Sequence, residues 1–314
     1  MIGDLLKQLV IALGRYIRHH LLRVFGFKRP ATPVPTDSAK SADGEVQQHT
    51  RVDALDDRIG LDASYVEPVT WPTYRDDSPV AALETDPLYK LWRTTRGGHK
   101  WSQYFAIYRE ILGPLTGGPQ RILEIGVYRG ASLELWKRYF SHPDTLIVGI
   151  DIDPACSRFD APNDRRYVRI GSQNDAKFLN SVVAEFGPFD LVIDDGSHRS
   201  SDVIASFNHL FADGLKDLGI YFVEDLHASY WTGWRDSRKS FLDVCVELIE
   251  HMHAHYKTSA PGNIFFNARP SDNTLIAIEV PKITTMIKEI RFFDSIVAIY
   301  KARQEHVPYY LRME

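Results

Sequence analysis

The chain has 314 residues, a net charge of −4 and a pI near 6.3. This length allows one large domain or two small ones, and the acidic balance argues against a nucleic-acid partner, which normally meets a basic domain. Two cysteines, Cys156 and Cys245, are too few for a disulfide framework and fit a reducing, cytoplasmic compartment.

The first predicted element is a basic amphipathic helix over residues 1–29. Its apolar residues fall on one helical stripe, whereas Lys7, Arg15, Arg18 and Arg23 fall largely on the other. Such a helix can lie on an anionic membrane surface or pack on protein, and the sequence leaves both open. No uncharged apolar run reaches the roughly 18 residues of a membrane span. We therefore expect at most peripheral contact with the inner face of a membrane. A homo-oligomer is a separate expectation.

Four further segments follow. Residues 30–65 are rich in proline and polar side chains, which predicts a flexible linker. Residues 66–95 mix aromatic side chains with prolines and acids and are interpreted as an arm that packs on the domain edge. The main domain is predicted over residues 96–304, followed by a tail over residues 305–314.

The main domain contains a strand, a glycine turn and a helix in direct succession. Arg121-Ile-Leu-Glu-Ile is an apolar strand, Gly126 and Gly130 flank the turn, and residues 131–140 have helical periodicity. The next strand, residues 146–153, carries Asp151 about twenty residues after Gly130, where nucleotide-binding folds place a ribose-binding carboxylate. These features predict an adenosine-containing cofactor.

The spacing of the glycines indicates which cofactor. A dinucleotide site uses Gly-x-Gly-x-x-Gly, whereas this turn reads Glu124-x-Gly126-x-x-x-Gly130. A carboxylate at Glu124 would repel a pyrophosphate but suits the ammonium group of an amino acid. An NAD-dependent oxidoreductase is therefore disfavoured.

The next three strands lead to further candidate site residues. A short strand over residues 166–170 precedes a predicted helix over residues 176–186, which Ser172 or Asp175 could cap. The following strands end in Asp194-Asp195, with His198 three residues on, and in Glu224-Asp225. Side chains alternate along a strand, so Asp194 and Asp195 face opposite sides. Parallel neighbours would bring Asp195, Glu224 and Asp225 together as oxygen ligands for a hard cation such as Mg²⁺, and His198 could act as a base.

The last two predicted elements contain no candidate site residues. A helix predicted over residues 238–256 ends in His251, His253 and His255, which we interpret as helix-end residues rather than a metal site. Residues 287–301 are predicted to form a hairpin that turns at Asp294-Ser295.

The motifs resemble a known family. Residues 123–140, Gly149–Asp153, Asp194–His198 and Val223–Trp231, with the segments Gly98–Tyr108 and Arg291–Val297, are similar to metal-dependent sugar O-methyltransferases of the macrocin and mycinamicin type. These are class I S-adenosylmethionine-dependent enzymes. The resemblance implies a Rossmann-like α/β fold: a mostly parallel seven-stranded sheet with helices on both faces and an antiparallel C-terminal hairpin.

The resemblance also implies roles. Asp195, Glu224 and Asp225 would bind Mg²⁺, and His198 with Asp195 would be catalytic. The expected contacts of S-adenosylmethionine are Glu124, Gly126, Tyr128, Gly130, Ser132, Asp151, Gln173, Asp175 and Asp194. The acceptor would be a sugar-containing molecule. Thr94–Gly98 departs from the Asp-Lys element of the macrolide enzymes, so the substrate side is expected to differ.

Two alternatives stay open. A catechol-type small-molecule O-methyltransferase would also chelate Mg²⁺ through two oxygens. A non-catalytic S-adenosylmethionine-binding scaffold in a glycan-assembly complex is the other, although the intact set of acids and His198 argues against it.

Overall fold

The computed structural model describes residues 83–258 and 278–308, and the backbone of residues 38–40 and 46–48. The chain divides into two units, Met1–Pro72 and Thr73–Glu314. In the first unit, β1 (Ser38–Lys40) pairs antiparallel with β2 (Val46–Gln48), within the stretch for which the sequence indicates a linker. The amphipathic helix expected over residues 1–29 lies outside the described residues. The predicted division into segments therefore stays a prediction.

The second unit is built on a seven-stranded sheet with the order β5-β4-β3-β6-β7-β9-β8. Its strands are β3 (Arg121–Ile125), β4 (Leu146–Asp151), β5 (Arg166–Ile170), β6 (Phe189–Asp194), β7 (Leu215–Val223), β8 (Ile287–Phe293) and β9 (Ile296–Lys301). Strands β3 to β7 are parallel, and β9 is antiparallel to both β7 and β8. The strand order reverses between β3 and β6, a position where open α/β sheets bind ligands. This topology confirms the predicted fold class.

Helices cover both faces of the sheet. They are α1 (Pro87–Arg93), α2 (Tyr104–Leu112), α3 (Ala131–Tyr139), α4 (Ala176–Phe186), α5 (Ser200–Asp213) and α6 (Phe241–Met252). Residues of α1, α2 and α3 belong to one apolar cluster, and residues of α4, α5 and α6 to the other. None of the helices among the described residues combines the length and hydrophobicity that a membrane span needs.

The apolar strands feed both clusters because side chains alternate along a strand. In β6, Leu191 and Ile193 face the cluster of α1–α3, whereas Val192 faces the cluster of α4–α6. A strand buried on both sides reads as a continuous apolar run rather than an alternating one. This explains why the sequence marks β3, β4 and β6 so clearly.

The predicted element bounds mostly hold. Helix α4 and strand β5 have the expected limits, and the C-terminal hairpin turns at Asp294-Ser295. Helix α6 is shorter than expected, since Ser240 and Asp243 form a capping box at its start. It ends at Met252, and a 3-10 turn over Ala254–Tyr256 follows.

Candidate active site

A cavity of about 730 Å³ opens at the carboxyl ends of the parallel strands. This volume is typical of sites for small organic ligands. Its wall includes these residues predicted as site residues from the sequence: Gly126, Tyr128, Ser132, Asp151, Gln173, Asp195, His198, Glu224 and Asp225. Glu124, Gly130, Asp175 and Asp194 are not part of that wall.

The turn after β3 packs directly on the loop after β6. Gly126 has a φ of +97°, and a Cβ there would lie 2.2 Å from the carbonyl oxygen of Asp195. Gly130, at the start of α3, has a φ of +75°, and a Cβ there would lie 2.6 Å from the ring of Phe159. Both positions therefore require glycine.

The carboxylate of Asp151 organises the same turn. One oxygen accepts hydrogen bonds of 2.9 Å from the backbone N–H groups of Val127 and Tyr128, and the other accepts one of 2.8 Å from Asp153. Burial alone would raise the pKa of Asp151, but these backbone donors outweigh it and lower the pKa. The oxygen bonded to Asp153 keeps a lone pair for a ligand hydroxyl.

Glu124 is fully buried near the end of β3. The indole N–H of Trp136 donates to one carboxylate oxygen at 3.1 Å, and the second oxygen has no hydrogen-bond partner of normal geometry among the described residues. Burial raises the pKa of Glu124 to about 7, although the Lys100 ammonium acts in the opposite direction. Buried polar atoms are normally paired, so this oxygen is one that a cationic ligand group could satisfy.

Asp194, predicted from the sequence as a cofactor contact, is not part of the cavity wall. Its side chain faces α5 and the core, where the hydroxyls of Ser206 and Tyr221 donate to it at 2.6 and 3.1 Å. Burial raises the pKa of Asp194 to about 6. Gln173 connects this group to the cavity, since its amide donates to Asp194 and its oxygen accepts from the N–H of Ser197 at 2.8 Å.

Asp175 caps α4. Its carboxylate accepts hydrogen bonds from the N–H groups of Lys177 and Phe178. This is the capping role that the sequence offered as an alternative to a contact with S-adenosylmethionine. Helix capping thus accounts for Asp175 without a ligand.

The neighbouring ends of β6 and β7 bring Asp195 and Glu224 together around a lysine. The Lys100 Nζ donates to Asp195 Oδ2 at 2.5 Å and to Glu224 Oε2 at 2.6 Å. Burial opposes the charge on Lys100, but the two carboxylates outweigh it and raise the pKa of Lys100 well above its usual value. The other oxygen of Glu224 is buried without a hydrogen-bond partner of normal geometry among the described residues.

Asp225 and His198 form the open side of this cluster. The His198 Nε2 lies 3.5 Å from Asp225 Oδ2 and 3.9 Å from Asp195 Oδ1. Potential ligand atoms of Asp195, His198 and Asp225 all lie within 4.8 Å of one another. This spacing and the excess of carboxylate oxygens fit a hard divalent cation.

Both residues of the open side have unusual backbone conformations. His198 has a φ of +55° and Asp225 a φ of +56°. Non-glycine residues rarely adopt this left-handed region, and such outliers cluster at functional sites. The backbone therefore directs these two side chains at a local energetic cost.

Aromatic rings line the mouth of the cavity. Trp101 and Trp231 are about half exposed, and both form edge-to-face contacts with His227, with centroid distances of 5.3 and 4.4 Å. Trp234 extends the row, 5.6 Å from Trp231. The cavity wall therefore combines apolar aromatic rings with the charged side chains of Lys100, Asp195 and Glu224.

Sequence reasoning missed Lys100 and Tyr104 as site residues. The Tyr104 hydroxyl donates to Asp225 at 2.6 Å, and Lys100 bridges two acids as described. The signal that could have located them is the Gly98–Tyr108 segment, which resembles the family. The resemblance itself implies no role for either residue. Neither residue lies at a strand end, so the rule that located the acids could not locate them.

Several known proteins are similar to this chain. No protein-family model matches the chain. The 8-demethyl-8-alpha-L-rhamnosyl tetracenomycin-C 2'-O-methyltransferase of Streptomyces olivaceus is 34% identical over 192 residues, 57% of this chain and 48% of the relative. The L-olivosyl-oleandolide 3-O-methyltransferase of Streptomyces antibioticus is 36% identical over 204 residues, 59% of this chain and 51% of the relative. The chain spans about half the length of these relatives.

A solved methyltransferase structure is also similar to this chain. The MycE methyltransferase from the mycinamycin biosynthetic pathway, in complex with Mg, SAH and mycinamycin VI, is 26% identical with a TM-score of 0.57. The match covers 73% of this chain and 56% of MycE. The resemblance that the motifs indicate is thereby confirmed.

Proposed function

We propose that this chain, a homologue of sugar O-methyltransferases that act on glycosylated natural products, transfers a methyl group from S-adenosylmethionine to a sugar hydroxyl with the help of Mg²⁺. The observation that carries the proposal is one cavity shared by the Gly126 turn and the cluster of Asp195, His198 and Asp225. The two halves of a metal-assisted methyl transfer thus lie side by side.

The cofactor half lies at the ends of β3 and β4. When bound, S-adenosylmethionine supplies the methyl group from its sulfonium. Asp151 would accept from the ribose hydroxyls through its remaining lone pair, and Glu124 would compensate the ammonium charge. Tyr128, Gly130, Ser132 and Gln173 would shape the rest of the site; Asp194 would act through Gln173, and Asp175 chiefly by capping α4.

The metal half lies at the ends of β6 and β7. When bound, Mg²⁺ would lower the pKa of an acceptor hydroxyl and fix its position. Asp195, Glu224 and Asp225 would hold the ion. His198, 3.5 Å from Asp225, would accept the hydroxyl proton at Nε2, the nitrogen that faces the cluster.

The acceptor would bind at the aromatic mouth of the cavity. Pyranose rings have apolar C–H faces that pack on aromatic side chains, and Trp101 and Trp231 present such surface next to the acids. The relatives are O-methyltransferases of a rhamnosyl and an olivosyl compound, which supports a deoxysugar acceptor.

The proposal extends to the surroundings of the enzyme. A homo-oligomer and peripheral contact of residues 1–29 with an anionic membrane are included, on the support of the basic amphipathic pattern alone. Both are separate from the chemistry of the site.

The test combines binding with turnover. Calorimetry of S-adenosylhomocysteine binding, with Mg²⁺ and with EDTA, should detect a single site in both conditions. Radiolabelled S-adenosylmethionine is then offered with a panel of rhamnosides, other deoxysugar glycosides and catechol. Transfer to a sugar that EDTA stops and Mg²⁺ restores supports the proposal. Transfer to catechol alone, or binding of NADH but not of S-adenosylhomocysteine, contradicts it.

A further inference from the structure

A buried lysine occupies the space between two proposed metal ligands. The side chain of Lys100 is 5% exposed and that of Glu224 is fully buried. The ammonium lies 5.9 Å from the ring centroid of Tyr108, and its two short contacts are with Asp195 and Glu224. Two carboxylates this close repel one another without a cation between them, and Lys100 supplies that cation from within the chain.

The same two oxygens cannot serve Lys100 and a metal ion together. Mg²⁺ binds its oxygen ligands at about 2.1 Å. An ion bound to Asp195 Oδ2 and Glu224 Oε2 would occupy the position that the ammonium takes. By contrast, Asp195 Oδ1 faces His198, and Asp225 Oδ2 also faces that histidine.

We infer that Lys100 is a built-in counter-ion that competes with a divalent metal for Asp195 and Glu224. The inference rests on the metal site of the proposed function. Lys100 keeps the acid pair intact in the metal-free protein, and the ammonium withdraws toward the open cavity when Glu224 binds a metal. The consequence is a weaker metal site than three carboxylates would otherwise form.

The first experiment measures Mn²⁺ binding by electron paramagnetic resonance on the full chain. Lys100→Met removes the charge and keeps an unbranched side chain. Because the competing cation is gone and close charges interact strongly away from bulk water, we expect Mn²⁺ to bind about tenfold more tightly than to wild type. The matched control is Lys216→Met, which removes a lysine paired with Asp190 outside the cavity wall and should leave Mn²⁺ affinity unchanged.

The outcomes distinguish a failure of the Lys100 role from a failure of the metal site. Unchanged or weaker Mn²⁺ binding by Lys100→Met, with measurable wild-type binding, overturns the role of Lys100 and leaves the metal site standing. No Mn²⁺ binding by either protein overturns both the metal site and this inference.

A second measurement covers the case in which Lys100→Met folds poorly. Melting temperatures in EDTA are compared for wild type, Lys100→Met, Glu224→Gln and the double variant. Lys100→Met should melt lower than wild type, because two carboxylates then face each other unpaired. The double variant should regain part of that loss, since one carboxylate has gone with the cation. A double variant that melts no higher than Lys100→Met overturns the inference.

Discussion

The hydroxyl of Tyr104 donates a 2.6 Å hydrogen bond to Asp225 and accepts one of 3.2 Å from the backbone N–H of the same residue. Burial and the Asp225 hydrogen bond raise the pKa of Tyr104, so the phenol remains the donor. Two bonds from one side chain therefore fix a residue that has a left-handed backbone.

Removing this hydroxyl tests whether Asp225 must be held in place. Tyr104→Phe should lower metal affinity or turnover about 10- to 100-fold, the usual effect of losing a partner that orients a metal ligand. Mn²⁺ titration and turnover at saturating metal distinguish the two losses. Tyr139→Phe, a tyrosine outside the cavity wall, should change neither. Wild-type values in both assays for Tyr104→Phe would show that Asp225 needs no such support.

His198 is expected to be the proton acceptor. His198→Ala should keep S-adenosylhomocysteine affinity while turnover falls about 10²- to 10⁴-fold, because general base catalysis contributes that much. His209→Ala is the control, since His209 contacts Asn180 and lies outside the wall. Turnover close to wild type in His198→Ala removes this histidine as the base.

Asp195 is expected to link metal and reaction. Asp195→Ala should abolish metal-dependent methyl transfer, because it removes a proposed ligand of Mg²⁺. The same carboxylate also faces Lys100 and His198. Asp213→Asn, an exposed acid at the end of α5, should behave like wild type. Activity of the wild-type protein that survives EDTA would refute the metal requirement itself.

Glu124 predicts a particular pH dependence of stability. Its folded-state pKa of about 7 lies above the usual 4.5, so the folded chain binds the proton more tightly than the unfolded chain. The contribution to stability is present below pH 4.5 and is lost as the pH rises to 7, by roughly 3 kcal/mol. Urea unfolding of wild type and Glu124→Gln should therefore diverge with rising pH, with Glu124→Gln the more stable near neutrality.

Glu134 provides a control of opposite sign. Burial would raise the pKa of Glu134, but Arg166 and Arg138 outweigh it and lower the pKa. Glu134→Gln should therefore lose stability relative to wild type as the pH rises toward 4.5, and the difference should stay constant above pH 4.5. Parallel curves for wild type and Glu124→Gln would show that Glu124 is ionised in the folded protein.

Trp231 is expected to bind the acceptor and not the cofactor. Trp231→Ala should raise the acceptor KM about tenfold, in line with the worth of a lost aromatic contact, and leave S-adenosylhomocysteine affinity unchanged. Tyr230→Ala is the neighbouring control, because Tyr230 is 75% exposed and outside the wall. If Trp231→Ala changed S-adenosylhomocysteine affinity and left the acceptor KM unchanged, Trp231 would not bind the acceptor.

The sequence predicted the sheet and the position of the acids because both follow from local rules. Buried parallel strands are continuous apolar runs, and their carboxyl ends meet at one edge. Asp195, Glu224 and Asp225 follow β6 and β7 directly, so strand order was enough to bring them together.

The partners of these acids could not be predicted in the same way. Lys100 and Tyr104 precede the sheet by a segment whose path depends on how α2 packs, and no local pattern specifies that packing. Asp194 shows the converse difficulty. Alternation predicted that it faces away from Asp195, but the hydroxyls of Ser206 and Tyr221 that donate to it lie on other elements and could not be predicted from its strand.

The contact between Gly126 and the carbonyl of Asp195 has a consequence for the descent of this protein. The loop that carries Asp195 requires glycine at this position, because a Cβ there would lie 2.2 Å from the Asp195 carbonyl oxygen. A lineage cannot exchange Gly126 for alanine without first rebuilding the loop that carries Asp195. The turn at Gly126 and the loop that carries Asp195 are therefore constrained to change together.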